Sequence, residues 1–232
     1  MFEKILGAWN FLSETLLYII FPPICPICRE IVDERDDICA TCLEKILRKD
    51  FYPMSPAPIK KVMRLTKYHG GTRELLRPLK FDNSLKTLPT LKKILEIVST
   101  DAQVTEFLKC VDVAVFVPLH EERLKKRGYN QTELIFSDWL TAQNISAENI
   151  LLRTKKTPHL FDLNPDERKK ILENAFEVVD SADVAGKNIL IVDDIYTTGA
   201  TVTECAKALK KVGAAQIFVL AFSSDFGEKN NA

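Results

Sequence analysis

The segment Ile189-Leu190-Ile191-Val192-Asp193-Asp194-Ile195-Tyr196-Thr197-Thr198-Gly199-Ala200-Thr201 constrains the fold of this chain more than any other. Four unbroken apolar residues, Ile189 to Val192, read as a strand buried on both faces, as in a parallel sheet. Asp193 and Asp194 stand where that strand is expected to end. A Thr/Gly-rich turn follows. Val202, Ala206, Leu209 and Val212 then recur at helical spacing, with Gly213 as a stop. In open α/β sheets ligands collect beyond the carboxyl ends of the strands. A small-residue turn entering a helix offers an anion unclaimed N–H groups and the positive end of the dipole, each contact worth roughly 0.3–1 kcal/mol. Paired carboxylates beside such a cradle point to a ribose 5-phosphate.

Other readings of the segment fare worse. The magnesium-binding strand of a P-loop ATPase would need G-x-x-x-x-G-K-[ST] elsewhere. The nearest stretch, Ser181 to Asn188, has Ser in place of the first Gly and Asn188 after Lys187. A purely structural turn has no need of Thr197, Thr198, Gly199 and Thr201 around one bend. The segment resembles the PRPP-binding fingerprint of type I phosphoribosyltransferases.

The chain of 232 residues has room for one α/β domain and a small appendage, and its 46% apolar and 28% charged content suits a globular core. Its 32 basic and 32 acidic residues cancel, so the chain as a whole lacks the footprint of a strong nucleic-acid binder. Phe2 to Pro23 is largely apolar but interrupted by Glu3, Lys4, Asn10 and Glu14, and its longest clean run, Leu16 to Phe21, is too short to span a membrane. It reads as an amphipathic helix packed on its own protein. With no basic segment ahead of a small-residue cleavage site, a cytoplasmic protein is expected.

Cys25-x-x-Cys28 and Cys39-x-x-Cys42 are two knuckles separated by ten residues. That is the ligand pattern of a four-thiolate zinc site. Disulfides are the competing reading, disfavoured in a reducing compartment. Metal binding, worth roughly 10–16 kcal/mol in comparable peptides, would supply the folding free energy of a module with almost no core. Cys110 and Cys205 read as small buried hydrophobes.

Further along, Leu43 to Lys49 reads as a short helix, and Tyr52 to Pro58, with three prolines, as a linker. Lys61 to Tyr68 is an expected strand and Gly70-Gly71 a turn. Thr72, or a residue near it, is a candidate cap for a helix carrying Leu75, Leu76 and Leu79, and Leu88 to Val98 is another helix. Val111 to Val117 is a buried strand closed by Pro118. After it, Leu119 to Gln131 reads as a basic, anion-receptive loop in which His120 is either a base or a hydrogen-bonding residue. Leu134 to Ala142 continues as a helix. Ile150 to Arg153, Phe176 to Val179 and Ile217 to Phe222 are strands. Thr154 to Glu173 reads as a long functional loop.

Three blocks together resemble the ComF family: Cys25-Pro26-Ile27-Cys28 with Cys39 and Cys42; Val117-Pro118-Leu119-His120 through Arg123 to Arg127-Gly128-Tyr129-Asn130-Gln131; and Val192 to Thr201. Weaker matches are Tyr68-x-Gly70, Leu79-Lys80-Phe81, Arg153 with Thr157-Pro158, Arg168 and Ala175-Phe176. The resemblance implies an α/β, type I phosphoribosyltransferase fold, a mostly parallel sheet flanked by helices, with a small N-terminal zinc-ribbon-like module. It implies three regions: the helix and zinc module over 1–52, a Pro-rich linker over 53–59 and the phosphoribosyltransferase domain over 60–232.

By the same resemblance Asp193 and Asp194 hold ribose hydroxyls, and Thr197, Thr198, Gly199, Ala200 and Thr201 cradle the 5-phosphate. Arg123 and Arg127 contact pyrophosphate or nucleic-acid phosphates, and Lys80 is a further anion contact. Cys25, Cys28, Cys39 and Cys42 hold a structural Zn2+, and Mg2+ accompanies PRPP. The implied ligand is PRPP or a nucleotide. The implied role is natural competence, with single-stranded DNA and a helicase-type competence protein as partners. An active phosphoribosyltransferase acting on a base or amine, and a non-catalytic PRPP-sensing adaptor, are the alternatives. Two positions depart from the family loop, which commonly reads T-P-x-Q and then R-x-x-N; Leu160 and Ile171 stand at the Gln and Asn places and imply weakened turnover.

Overall fold

A computed structural model describes residues 18–52, 54–157, 164–179 and 183–225. Most of the N-terminal amphipathic helix, and Leu160, lie outside them. The apolar runs become the middle of a six-stranded sheet. β1 (Leu47–Phe51) and β2 (Lys61–Lys67) precede the helices α2 (Thr72–Phe81), α3 (Leu88–Ser99) and α4 (Ala102–Leu108). β3 (Val113–Phe116), α5 (Glu121–Arg127), α6 (Gln131–Ala142) and β4 (Ser146–Glu148) follow, then β5 (Leu151–Arg153), α7 (Pro165–Leu172) and β6 (Phe176–Val178). β7 (Asn188–Tyr196), α8 (Ala200–Lys211) and β8 (Gln216–Ser224) complete the described elements, with α1 (Ala40–Ile46) ahead of β1. The strand order is β1-β2-β8-β7-β3-β4, parallel throughout except for β1 against β2.

Alternation along the strands feeds two cores. Leu190, Val192, Phe218, Leu220 and Phe116 face the apolar stripes of α2, α3, α4 and α6, with Leu79, Ile94, Phe107 and Phe136 among the packed side chains. Ile189, Ile191, Ile217, Val219 and Val115 face the other way, onto Val202, Cys205 and Leu209 of α8 and Leu172 of α7. A strand buried on both sides has to be apolar at every position, which is why β7 and β8 stand out in the sequence.

Several expectations are corrected. The helix expected over Leu43–Lys49 ends at Ile46, because Leu47 turns to extended backbone (φ −62°, ψ 132°) and starts β1. β1 is held at the sheet edge by Arg64, 3% exposed, whose Nε reaches Asp50 Oδ1 at 2.5 Å. β1 precedes the prolines yet pairs with β2 beyond them, so the chain crosses that segment within one sheet. Cys110 is exposed, not buried, whereas Cys205 is buried as expected. The cap of α2 is Gly71, next to Thr72, which becomes the first residue of the helix. The basic loop after β3 contains α5, capped by His120, whose Nδ1 accepts from the Glu122 N–H at 3.3 Å. The loop over Thr154–Glu173 contains α7, started by a capping box between Asn164 and Glu167 with Pro165 at its first turn. β5 and β6 pair with each other, apart from the main sheet.

In the N-terminal module the Sγ atoms of Cys25, Cys28, Cys39 and Cys42 all lie within 4.8 Å of one another. A tetrahedron of Zn–S bonds of about 2.3 Å has edges of about 3.8 Å, so one Zn2+ fits. Burial would raise the Cys25 thiol, but hydrogen bonds from the backbone of Cys28, Cys39 and Ile27 outweigh it and hold it down to about 7. Cys42 is pushed strongly upward by burial and by its neighbouring thiols. Four clustered thiolates need a cation. The module docks through Ile27 onto Gly71, where φ is +124° and an added Cβ would lie 2.5 Å from the Ile27 side chain. Lys93 of α3 also reaches Glu34, at 3.2 Å, and Asp37.

The purified chain is expected to carry about one equivalent of zinc, and Cys25→Ser to lose it and expose residues 25–42 to protease; a metal-free chain resistant there would refute the site. Gly71→Ala should cost about 1–3 kcal/mol and lower the melting temperature by about 3–10 °C, an effect that an Ile27→Ala background should relieve in part.

Candidate functional site

β7 continues past its apolar run, so Asp193 and Asp194 lie within the strand rather than after it. Side chains alternate across a strand, and the two carboxylates therefore face opposite surfaces of the sheet. Asp194, 3% exposed, accepts from Gln131 Nε2 at 2.8 Å and pairs with Lys80 Nζ at 2.9 Å. Asp193 receives the Asp194 backbone N–H at 2.9 Å. Burial, and then the adjacent Asp194 charge, push the Asp193 carboxyl up to about 8.

The turn beyond β7 ends in Gly199, which takes the left-handed conformation (φ +75°) as the N-cap of α8. A Cβ there would come within 2.8 Å of Tyr196 Cζ, so both backbone and space demand glycine. Gly199 has no side chain with which to cap α8; Thr198 Oγ1 accepts from the Ala200 N–H at a long 3.4 Å. The opening turn of the helix thus keeps its N–H groups and dipole available to an anion.

Around this turn lies an open cleft of about 210 Å³. Lys80 at the end of α2, Arg123 and Arg127 of α5, Asp193, Asp194 and the whole Thr197–Thr201 turn all line it. The ten residues expected to bind the ligand are therefore brought to one place. Arg127, whose Nη2 donates to the Lys80 carbonyl at 2.7 Å, also donates to Gln131 Oε1. Arg123 Nη2 donates to the Thr157 carbonyl at 2.7 Å.

Three further polar residues line the cleft: Gln131, Arg153 and Arg168. All three stand in blocks that carry the family resemblance, yet spacing alone gave no sign of their partners. Arg153 Nη2 donates to Thr157 Oγ1 at 2.5 Å, and Arg168 Nη1 to Thr197 Oγ1 at 3.2 Å. Burial, and then the neighbouring Arg123 charge, lower Arg153 to about 10, and burial lowers Arg127 as well. Both remain cations at neutral pH. The chain carries no net charge, but this cleft sets five cationic side chains around the Asp194 carboxylate and the Asp193 carboxyl, which burial favours in its neutral form. Such a cluster is compensated best by a multiply charged anion. Ile171 sits in α7. Among the described residues no helix is long and apolar enough to cross a membrane.

Comparison with known proteins places both halves of this architecture. Residues 143–225 match the phosphoribosyl transferase domain family, and residues 16–52 match the double zinc ribbon domain, in keeping with a structural zinc at the four cysteines. Among solved structures, a hypoxanthine phosphoribosyltransferase from Staphylococcus aureus overlaps with a TM-score of 0.38 at 13% identity, covering 58% of this chain and 62% of that one. The DNA utilization protein YhgH of Escherichia coli K12 is 32% identical over 199 residues, 84% of this chain and 82% of that protein. Competence protein F of Haemophilus influenzae is 30% identical over 201 residues, 85% of this chain and 82% of its own length. With a type I phosphoribosyltransferase fold, a four-cysteine ribbon ahead of it and this likeness along most of its length, the chain belongs to the competence protein F (ComF) family.

Proposed function

We propose that the cleft binds PRPP or a nucleotide through its ribose 5-phosphate, and that the protein serves natural competence in the cytoplasm, assisting the uptake or processing of single-stranded DNA beside a helicase-type partner. One juxtaposition carries the reading of the site: an uncapped helix start at Gly199, two carboxylates on the strand before it, and Lys80, Arg123, Arg127, Arg153 and Arg168 around both. In this reading Thr197, Thr198, Gly199, Ala200 and Thr201 wrap the 5-phosphate. Asp193 and Asp194 receive the ribose hydroxyls, and the arginines take the diphosphate. Mg2+ bound with PRPP would neutralise the diphosphate charge. The role in DNA handling is supported by the names of the relatives, one a competence protein and the other a DNA utilization protein.

Turnover as a phosphoribosyltransferase is a second reading, favoured by the cation cluster. Loss of pyrophosphate from the anomeric carbon leaves positive charge on the ribose and negative charge on the departing group. Such a reaction needs electrostatic stabilisation and exclusion of water more than a strong base. Ile171, at the loop position where the family commonly has Asn, weighs against efficient closure.

PRPP with Mg2+, at about 100 times its Kd, should stabilise the chain by about 2.7 kcal/mol and raise the melting temperature by about 5–10 °C. Asp193→Asn should abolish most of that shift while making the ligand-free protein more stable. Because the native carboxyl titrates at about 8, far above its unfolded value, the folded state retains a proton that the unfolded chain releases. Stability is therefore lost as pH rises between about 4 and that value, and the gain in the Asn variant should grow over the same range. A variant that binds PRPP normally, or gains nothing as pH rises, would sink the assignment of Asp193.

A pyrophosphate-release screen with bases and amines separates turnover from binding alone. If single-stranded DNA binds through about four to six phosphates, log affinity should fall against log salt with a slope near about −3 to −4. Affinity that ignores salt would remove DNA as a direct partner.

A further inference from the structure

Tyr52 does not line the cleft, yet it backs the turn on which the 5-phosphate reading rests. It directly follows β1, and its backbone N–H donates to the Val62 carbonyl at 2.9 Å, which fixes it to the sheet. Its ring meets the Tyr196 ring with centroids 4.6 Å apart and planes inclined by 58°. Tyr196, 3% exposed, in turn packs against Gly199, where an added Cβ would come within 2.8 Å of Cζ. The Tyr52 hydroxyl sits 3.3 Å from Ser224 Oγ and donates, at a long 3.5 Å, to the Thr197 carbonyl. Burial pushes this phenol up to about 12, so it stays a donor at neutral pH.

Buried aromatic pairs are ordinary core packing, so the pair by itself says nothing. Two observations set this one apart. The first is where it leads. Tyr52 and Tyr196 form a column whose last member is Gly199, the N-cap that opens the anion-receptive start of α8. N–H groups that receive an anion must converge on one place, so whatever holds Gly199 and Thr197 sets how well they do so. The second is where it begins. Thr197 lies 145 positions from Tyr52. Tyr52 belongs to the stretch ahead of the prolines, and α1, which carries Cys42, runs into β1 with no loop between. Asp50 of β1 holds Arg64 Nε at 2.5 Å, and that guanidinium lies 5.6 Å from the Tyr52 ring centroid. The turn is thus buttressed by the segment that leaves the zinc module.

Building on the reading of the Thr197–Thr201 turn as a 5-phosphate cradle, we infer that Tyr52 is a positioning residue for that turn, and that through it the zinc module and the cradle are coupled. Tyr52 touches no ligand. It holds Tyr196 and the Thr197 carbonyl, and these hold the N–H groups at the start of α8. Loss of the ring lets Tyr196 and Gly199 shift and blurs the N–H groups without removing any of them. Binding that orders the turn also orders Tyr52 and β1, so metal and ligand assist each other by the same factor in either direction.

The test uses the full zinc-loaded chain and two probes, ribose 5-phosphate for the turn and pyrophosphate with Mg2+ for the arginines, each titrated by calorimetry. Tyr52→Ala should weaken ribose 5-phosphate by about 5- to 30-fold and leave pyrophosphate within about twofold. Tyr52→Phe keeps the ring and should stay within about threefold of the wild type, since the hydroxyl bond it loses is long. Tyr52→Leu keeps apolar bulk without a flat ring, and should repeat the Ala result even if the Ala chain does not fold. Saturating ribose 5-phosphate should raise the chelator concentration that strips half the zinc from the wild type by about fivefold or more, and not from Tyr52→Leu. Equal weakening of both probes in the Ala and Leu variants would make Tyr52 a general packing residue and overturn the inference. Unchanged ribose 5-phosphate binding in both would overturn it as well, with the reading of the cleft left intact. Zinc retention that ignores ribose 5-phosphate in the wild type would overturn the coupling. A wild type that binds neither probe would overturn the reading of the cleft and the inference with it.

Discussion

The cleft depends on one buried contact, the Asp194 carboxylate held between Lys80 Nζ and Gln131 Nε2. A carboxylate taken out of water costs several kcal/mol unless it is paired and its remaining lone pairs are used. Here Lys80 comes from the end of α2 and Gln131 from the start of α6, so the pairing fastens two helices to the central strand. Gln131 also takes a hydrogen bond from Arg127, and Arg127 donates onward to the Lys80 carbonyl. The result is a closed ring of four residues on one side of β7, joined by three side-chain contacts and by the Lys80 carbonyl. Its energetic worth is modest, since buried ion pairs barely offset desolvation, but it leaves those groups few alternative geometries.

α2 joins this ring to the far end of the molecule. Its N-terminus receives Ile27 of the zinc module against Gly71, and its C-terminus supplies Lys80 and Phe81. Ten residues of helix, about 15 Å, separate the two. The zinc module also continues directly through α1 into β1, the antiparallel edge of the main sheet. A module with so small a core of its own thus borrows packing from the domain, and the domain obtains a capped sheet edge in return.

How far the sequence revealed this follows from where its signals are strong. β7 and β8 are buried on both faces, so each left an uninterrupted apolar run; the carboxylates and the Thr/Gly turn followed from chain order alone. β1, Leu-Arg-Lys-Asp-Phe, is half-buried at all its positions and has no run or alternation to betray it. α5 buries none of its residues and therefore shows no apolar stripe. α7 lies in the stretch read as a loop, because its residues are polar and show no apolar stripe; its start is marked by the capping box of Asn164 and Glu167. The site divides in the same way. Residues contiguous in sequence were found, whereas the contact of Gln131 with Asp194 spans 63 positions and no periodicity reports it.

The two walls of the cleft are built to different stiffness, and this bears on how an anion enters. On the Lys80 side the cations belong to the closed ring and to helix ends that cannot shift without breaking it. On the other side Arg123 and Arg153 both donate to Thr157, and Arg168 donates to Thr197. Those acceptors are a neutral carbonyl and two hydroxyls, and a charged phosphate oxygen is a stronger acceptor for a guanidinium than either. A diphosphate bound as proposed would compete with Thr157 and Thr197 for these arginines, which also have further contacts, and would meet Lys80 and Arg127 already tied into the ring. In the binding mode proposed above, the Lys80 wall would set where the ribose phosphate sits, and the wall around Thr157 and Thr197 would set how firmly the rest of the ligand is enclosed.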